Sequence, residues 1–344
     1  TNGTGDATFT GAVGATTALT GLTLITDVLT AVAIKLDGTL NITNASASTL
    51  SGILSDGASS PLVLTKAGNG TLTLSGANTY SGTTTVSSGT LKAGSSHITG
   101  PPVTDAFGTG SVIVSATNAV LDLNGQTIDN AVTINGTGLT TLGSIINSST
   151  TAASLTGNIA LGSNASIGGA NNVTLSGIIS GDYDLTKVGS STYTLSGDNT
   201  YTGTTTINEG VIAITHTSAL GTIAGATIVE SGAALQVSNG ITLSENLTLS
   251  GTGVSSGGAL RFSANSNTYS GAITLAADTS IASDAGSQTI SGTINGAFDL
   301  SLTATESLVI TGAIGATTAL DTVAINTTIG NLTIGGNIRV TNTG

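Results

Sequence analysis

The chain has no cysteine, no methionine and no tryptophan, only three prolines, and six cations in 344 residues. Each absence excludes something. Without cysteine there is no disulfide framework and no thiolate ligand for a metal, so stability has to come from repetition. Length alone suggests about two or three ordinary domains. A compact core of that size recruits Phe, Trp and Met, whereas aromatics here are 3% of the chain. A narrow core of small aliphatic residues, buried a few at a time between stacked coils, fits better. Scarce Glu, Lys, Arg and Gln leave little to build helix surfaces, so almost no helix is expected. No run of 18 apolar residues offers a membrane span, which argues against direct membrane insertion of this segment. A net charge of −12 repels phosphate backbones and anionic lipid, so no nucleic-acid partner is expected.

What is present is glycine, 49 residues of it, with β-branched Thr, Val and Ile at the apolar positions and a mean hydropathy of +0.37. Disorder needs low hydrophobicity combined with high net charge. This composition fits pleated, half-buried strands, and the expected class is all-β. The chain opens on Thr1 with no basic and apolar leader behind it. It reads as a processed piece or fragment of a secreted, extracellular protein whose leader lies elsewhere.

Internal repeats organise the chain. Residues 64–91, LTKAGNGTLTLSGANTYSGTTTVSSGTL, return at 185–212 as LTKVGSSTYTLSGDNTYTGTTTINEGVI, 121 residues later. LSGIL at 50–54 matches LSGII at 175–179, and an eroded third copy runs from YSGAITL (269–275) to ISGTINGAFDL (290–300). FTGAVGATTAL (9–19) recurs as ITGAIGATTAL (310–320). The units expected are therefore 50–174, 175–289 and 290–344, with 1–49 a partial unit in one continuous solenoid.

Within a unit the period is two. Leu72 and Leu74 alternate with Thr71 and Thr73, and Ile212 and Ile214 with Ala213 and Thr215, so short strands are expected. Ser75-Gly76, Ser81-Gly82, Ser88-Gly89, Gly168-Gly169 and Glu209-Gly210 mark corners, read as sites of positive φ. Propeller blades repeat at ~40–50 residues with aromatic signatures that are missing here. Coils of ~20 residues put ~6 coils in a unit, and the ~4.8 Å strand spacing makes a rod of roughly 80 Å. The architecture expected is a parallel β-helix.

The block 64–94 and its partner 185–214 resemble the autotransporter-associated β-strand repeat of Gram-negative surface proteins. The likeness is carried by Leu64 and Lys66, matched by Leu185 and Lys187. It continues through Leu74, Gly76, Asn78 and Tyr80, matched by Leu195, Gly197, Asn199 and Tyr201, and ends on the Gly-Thr-Thr-Thr segments opened by Gly82 and Gly203. About 60 residues match strictly. The resemblance implies a right-handed β-helix exported across the outer membrane as the passenger region of a large adhesin. The translocator barrel of such proteins has alternating ~10-residue strands with aromatic girdles, and nothing in this chain looks like that.

Candidate chemistry is thin. Asp182 and Asp184 form a close carboxylate pair, but in a GDYD corner, where Asp caps its own backbone. His97 and His216 stand 119 residues apart, off the 121-residue repeat, and read as surface residues. GNG at 68–70 and GTG at 108–110 and 136–138 lack the helix and Lys-Ser/Thr of a phosphate loop. Calcium loops of the GGxGxD or DxDxDG kind do not occur. Tyr80, Tyr201 and Tyr269 share one repeated position, either as a ladder for sugar stacking or, as favoured, as shields of the corner between coils. Asn78 and Asn199 are candidates for an inward, hydrogen-bonded Asn ladder. The Thr rows 83–85 and 204–206 are read as outward.

No catalytic residue, cofactor or metal is expected. The function expected is an extracellular structural or adhesive solenoid, the stalk of a surface protein. Its partners would be homotypic copies stacked into fibres and a host, surface or glycan ligand. The alternatives are a carbohydrate-active β-helix enzyme, which six cations speak against, and an ice- or crystal-surface-binding protein, which would need the Thr motif on nearly every coil.

Overall fold

The structure is a computed structural model that describes residues 5–139, 142–327 and 330–341. The outer ends of the first and last expected units, 1–4 and 342–344, lie outside them. The chain divides into two units, Thr1–Gly177 and Ile178–Gly344. Each is a parallel β-solenoid. Among the described residues the helical content is one 3-10 turn, Val254–Ser256.

Period-two patterning builds each coil. In Val63–Ala67 and Thr71–Leu74 every second side chain is buried, because successive side chains of a strand point to opposite faces. Inward Leu, Ile and Val of one coil then stack on those of the next. In the first unit one ladder runs through Leu40, Leu64, Thr84, Val112, Val132 and Ile159. A second runs through Leu72, Leu91, Leu121, Ile145 and Ile167, and a third through Ile128, Leu155 and Leu175. Three ladders also make the second unit, one through Leu185, Thr205, Thr227, Leu247 and Ile273, one through Tyr193, Ile212, Leu235 and Leu260, and one through Leu243, Tyr269, Ile290 and Ile310. All these pairings are parallel, and β-bulges shift the register between Ile134 and Gly136 and between Leu249 and Gly251. Each fully buried Leu or Ile contributes roughly 1.5–3 kcal/mol by leaving water, so the core is a sum of small neighbour-to-neighbour terms.

Coils are longer and less even than ~20 residues. Leu64 meets Thr84 after 20 residues, but Thr84 meets Val112 only after 28. Four coils separate Leu64 from Ile159, about 24 residues each. The extra length sits in the corners, which tolerate insertion while the ladders hold register.

The corner glycines do two different jobs. Gly89, Gly169 and Gly210 have positive φ, as expected of tight corners. Gly76 and Gly82 do not. They are required because coils touch there: a Cβ on Gly76 would land on the Gly52 carbonyl, and one on Gly82 on the Leu62 carbonyl. Gly203 meets the Tyr183 carbonyl in the same way, and Gly197 is buried at its own corner. In the second unit the residues two before the entries of the first ladder form a column, Gly203, Gly225, Glu245, Gly271, Gly292, Gly312 and Gly336. Gly292 would strike Gly271, Gly312 would strike Gly292, and Gly336 would strike Gly312. Among the described residues Tyr183, two before Leu185, opens this column with a side chain, and Glu245 interrupts its run of glycines.

The Thr rows are also corrected. Thr84 and Thr205 are fully buried, while their neighbours Thr83, Thr85, Thr204 and Thr206 are half-buried. Alternation turns the middle hydroxyl of each triplet inward, so neither triplet is a flat outward lattice.

Candidate functional site

The repeated block builds the same corner twice. Lys66 and Lys187 follow the inward residues Leu64 and Leu185 by two positions, and alternation carries them inside, where both are fully buried. The Lys66 ammonium donates to the carbonyls of Ala67 (2.9 Å), Gly68 (2.8 Å) and, on the next coil, Ser88 (3.1 Å). The Lys187 ammonium donates to Val188 (2.9 Å), Gly189 (2.5 Å) and Glu209 (3.2 Å). Three donors meet three acceptors, so the charge is buried with its hydrogen bonds made. Burial draws both ammonium groups down to about 8, which leaves them protonated at neutral pH. Each lysine thus ties a corner carbonyl pair to the following coil.

Tyr80 and Tyr201 are likewise buried, and each shares a 2.6 Å hydrogen bond with the inward hydroxyl four residues on, Thr84 or Thr205. Tyr269, equally buried, donates to the Glu245 carbonyl at 2.6 Å. Burial pushes all three phenols well above their ordinary range. No ring of this set is offered to a sugar, so the corner-shielding alternative holds.

Asn78 and Asn199 are inward and hydrogen-bonded, but they do not stack into a ladder. Asn78 Oδ1 accepts from Leu54 N (2.8 Å) and its Nδ2 donates to Ala106 O (2.6 Å). Asn199 does the same with Ile179 N (2.7 Å) and Ala219 O (2.6 Å). Each amide clamps the coil before it to the coil after it. A ladder would need Asn on successive coils, and these two belong to separate repeats.

The carboxylates mostly serve the backbone. Asp184 accepts from Thr204 N at 2.8 Å and Asp182 from the Thr202 hydroxyl at 3.2 Å; both partners lie on the following coil and not in the backbone of the GDYD corner. Glu245 is a larger departure: it is 5% exposed and accepts from the Thr227 hydroxyl at 2.7 Å. Burial pushes its carboxyl up to about 7.

His216 fits the surface reading, with its side chain 43% exposed and 3.9 Å from Asp198. His97 does not. Its side chain is 16% exposed and lies between two carboxylates, Nδ1 3.5 Å from Asp105 and Nε2 3.9 Å from Asp129. These groups line a cavity of about 70 Å³ together with Asn130. Asp105 is 2% exposed, and burial raises its carboxyl to about 6 although Asp129 N and Phe107 N donate to it. Sequence spacing gave no signal for this cluster, because the three residues come from separate segments. Among the described residues no group of three or more His, Cys, Asp or Glu could hold a metal ion, and no helix is long and apolar enough to cross a membrane.

With this geometry in view, the comparisons with known proteins fall on the same corners. The family model described as passenger-associated-transport-repeat matches residues 64–93 and 185–214, the two segments that carry the caged lysines. A curated relative, the adhesin BmaC autotransporter of Brucella suis biovar 1 (strain 1330), is 37% identical over 188 residues. The match covers 51% of this chain and 4% of the relative, so the chain spans a small part of the length of the protein it resembles. No solved structure matches. Residues 64–93 and 185–214 match the passenger-associated-transport-repeat, and in both the motif corresponds to the lysine cage, the tyrosine–threonine pair and the asparagine clamp.

Proposed function

We propose that the chain is an adhesive, non-enzymatic segment of an autotransporter passenger, displayed outside the cell. The observation that carries this reading is the coincidence of the two passenger repeats with the corners that lock a parallel solenoid. A coil closed by internal hydrogen bonds and Gly contacts needs neither a disulfide nor a metal to hold its shape, which suits a polypeptide folding outside the cytoplasm. The similarity to a protein named as an adhesin supports a binding role over a catalytic one. So does the engagement of Asp182 and Asp184 with neighbouring Thr residues.

The test uses the source bacterium and the purified chain. Antibody against the chain should label unpermeabilised cells, and fluorescent chain should bind cultured epithelial cells saturably. Labelling only after permeabilisation, or binding that never saturates, would refute the reading.

A further inference from the structure

The two repeats provide an internal control for one another. In both, the Asn clamp ends on an alanine carbonyl at 2.6 Å, Ala106 in the first and Ala219 in the second. In both, the Tyr carbonyl then accepts from a threonine N–H, Thr109 to Tyr80 at 2.8 Å and Thr222 to Tyr201 at 2.9 Å. Asn78 reaches its alanine across 28 residues and Asn199 across 20. The first repeat therefore carries eight extra residues between fixed anchors, within 95–105, where the second has only His216, Thr217 and Ser218.

The inserted loop is built rather than loose. Ile98 and Thr104 exchange backbone hydrogen bonds at 2.9 and 3.2 Å, His97 N donates to Thr127 O at 2.7 Å, and Asp105 N donates to Asn78 O at 3.2 Å. Its charges are at the base, where His97 faces Asp105 and Asp129. Its tip is apolar: Ile98 is 55% exposed, Val103 45%, and Pro101 and Pro102 are exposed between them. The same corner of the second repeat shows the solvated pair His216 and Asp198. Insertions on one corner of a repeat array are where such proteins carry contacts, and a braced apolar tip loses little entropy on docking.

We propose that the loop 97–105 is a contact element of this segment, anchoring a partner protein by an apolar recess with a neutral or basic rim. The inference rests on the adhesive reading. The loop has no charged side chain from residue 98 to 104 and no aromatic ring to lay against a sugar. The chain's charge of −12 disfavours anionic lipid, nucleic acid and an acidic rim alike. Ile98 and Val103 would serve as the buried anchors of a small interface core, with the exposed Thr99 and Thr109 as rim.

The experiment measures binding of labelled chain to cultured epithelial cells that are untreated, protease-shaved or periodate-oxidised, and to phosphatidylcholine/phosphatidylserine vesicles. Two variants are compared: one with 95–105 replaced by His-Thr-Ser, as in the second repeat, and the double substitution Ile98→Ser, Val103→Ser. Both should keep the circular dichroism and melting temperature of the parent while binding untreated cells about tenfold more weakly or worse. Parent binding should disappear on shaved cells, persist on oxidised cells and be absent on vesicles. Variants that fold and bind within about twofold of the parent would overturn this inference and leave the adhesive reading standing. Binding lost on oxidation, or found on vesicles, would overturn the protein partner. A parent chain that binds no cells would refute both.

Discussion

Glu245 offers the sharpest energetic test, because it places a buried carboxyl within the run of glycines from Gly203 to Gly336. Its carboxyl moves from 4.5 to about 7 because burial disfavours the charged form, against the hydrogen bond from Thr227. A folded-state value above the unfolded one means that the folded chain holds this proton more tightly. The destabilisation is therefore absent below about 4.5, grows between 4.5 and 7, and is complete above 7. The gap corresponds to about 3 kcal/mol. Glu245→Gln keeps an acceptor for Thr227 and never ionises. The expected result is a gain of about 3 kcal/mol at pH 8.5 and almost none at pH 4, read from urea midpoints and from hydrogen exchange at Thr227 and Leu247. An equal gain at both pH values would show that packing, not charge, is responsible. No gain at pH 8.5 would show that the carboxylate is solvated in the folded chain, and the reasoning would be refuted.

Further predictions concern the repeated corners. Lys66→Met or Lys187→Met keeps the aliphatic stem but leaves three carbonyls without their donor, and should cost about 2–4 kcal/mol; unchanged exchange at the corner amides would contradict the cage. Tyr80→Phe and Tyr201→Phe should each cost about 1–2 kcal/mol by stranding the Thr84 or Thr205 hydroxyl, and the two losses should add in the double variant. Gly292→Ala drives a Cβ onto the Gly271 carbonyl and should cost about 3 kcal/mol or more. Gly335→Ala, whose nearest neighbour is the Ile310 carbonyl at 3.9 Å, should be nearly neutral by thermal melting.

The sequence made the ladders legible because alternation of Leu, Ile and Val with Thr is a direct image of a half-buried strand. The 121-residue offset likewise paired Asn78 with Asn199 and Tyr80 with Tyr201, and the members of each pair make corresponding hydrogen bonds. What stayed hidden depends on contacts between coils. Lys66 and Lys187 look like ordinary exposed cations, yet their spacing of two from Leu64 and Leu185 was a signal for the interior. Gly76 and Gly82 look like turn glycines, and only the stacked carbonyl beneath each shows that space, not φ, selects them. The inward Thr84 and Thr205 were obscured by flanking threonines that are chemically identical. Coil length was underestimated because corners such as 95–105 can lengthen without altering the ladders on either side.

The central structural claim is that each coil pairs with the next in parallel register instead of folding back as a hairpin, and the absence of cysteine makes it directly testable. Thr65 lies beside Thr85 across neighbouring coils, and Thr186 beside Thr206. In a hairpin centred on Gly68–Gly70, Thr65 would instead face Thr73. Under mild oxidation, the pairs Thr65→Cys/Thr85→Cys and Thr186→Cys/Thr206→Cys should form disulfides in the folded chain, and Thr65→Cys/Thr73→Cys should not. Cross-linking of the 65/73 pair in place of the 65/85 pair would contradict the stacked solenoid and the corner chemistry derived from it.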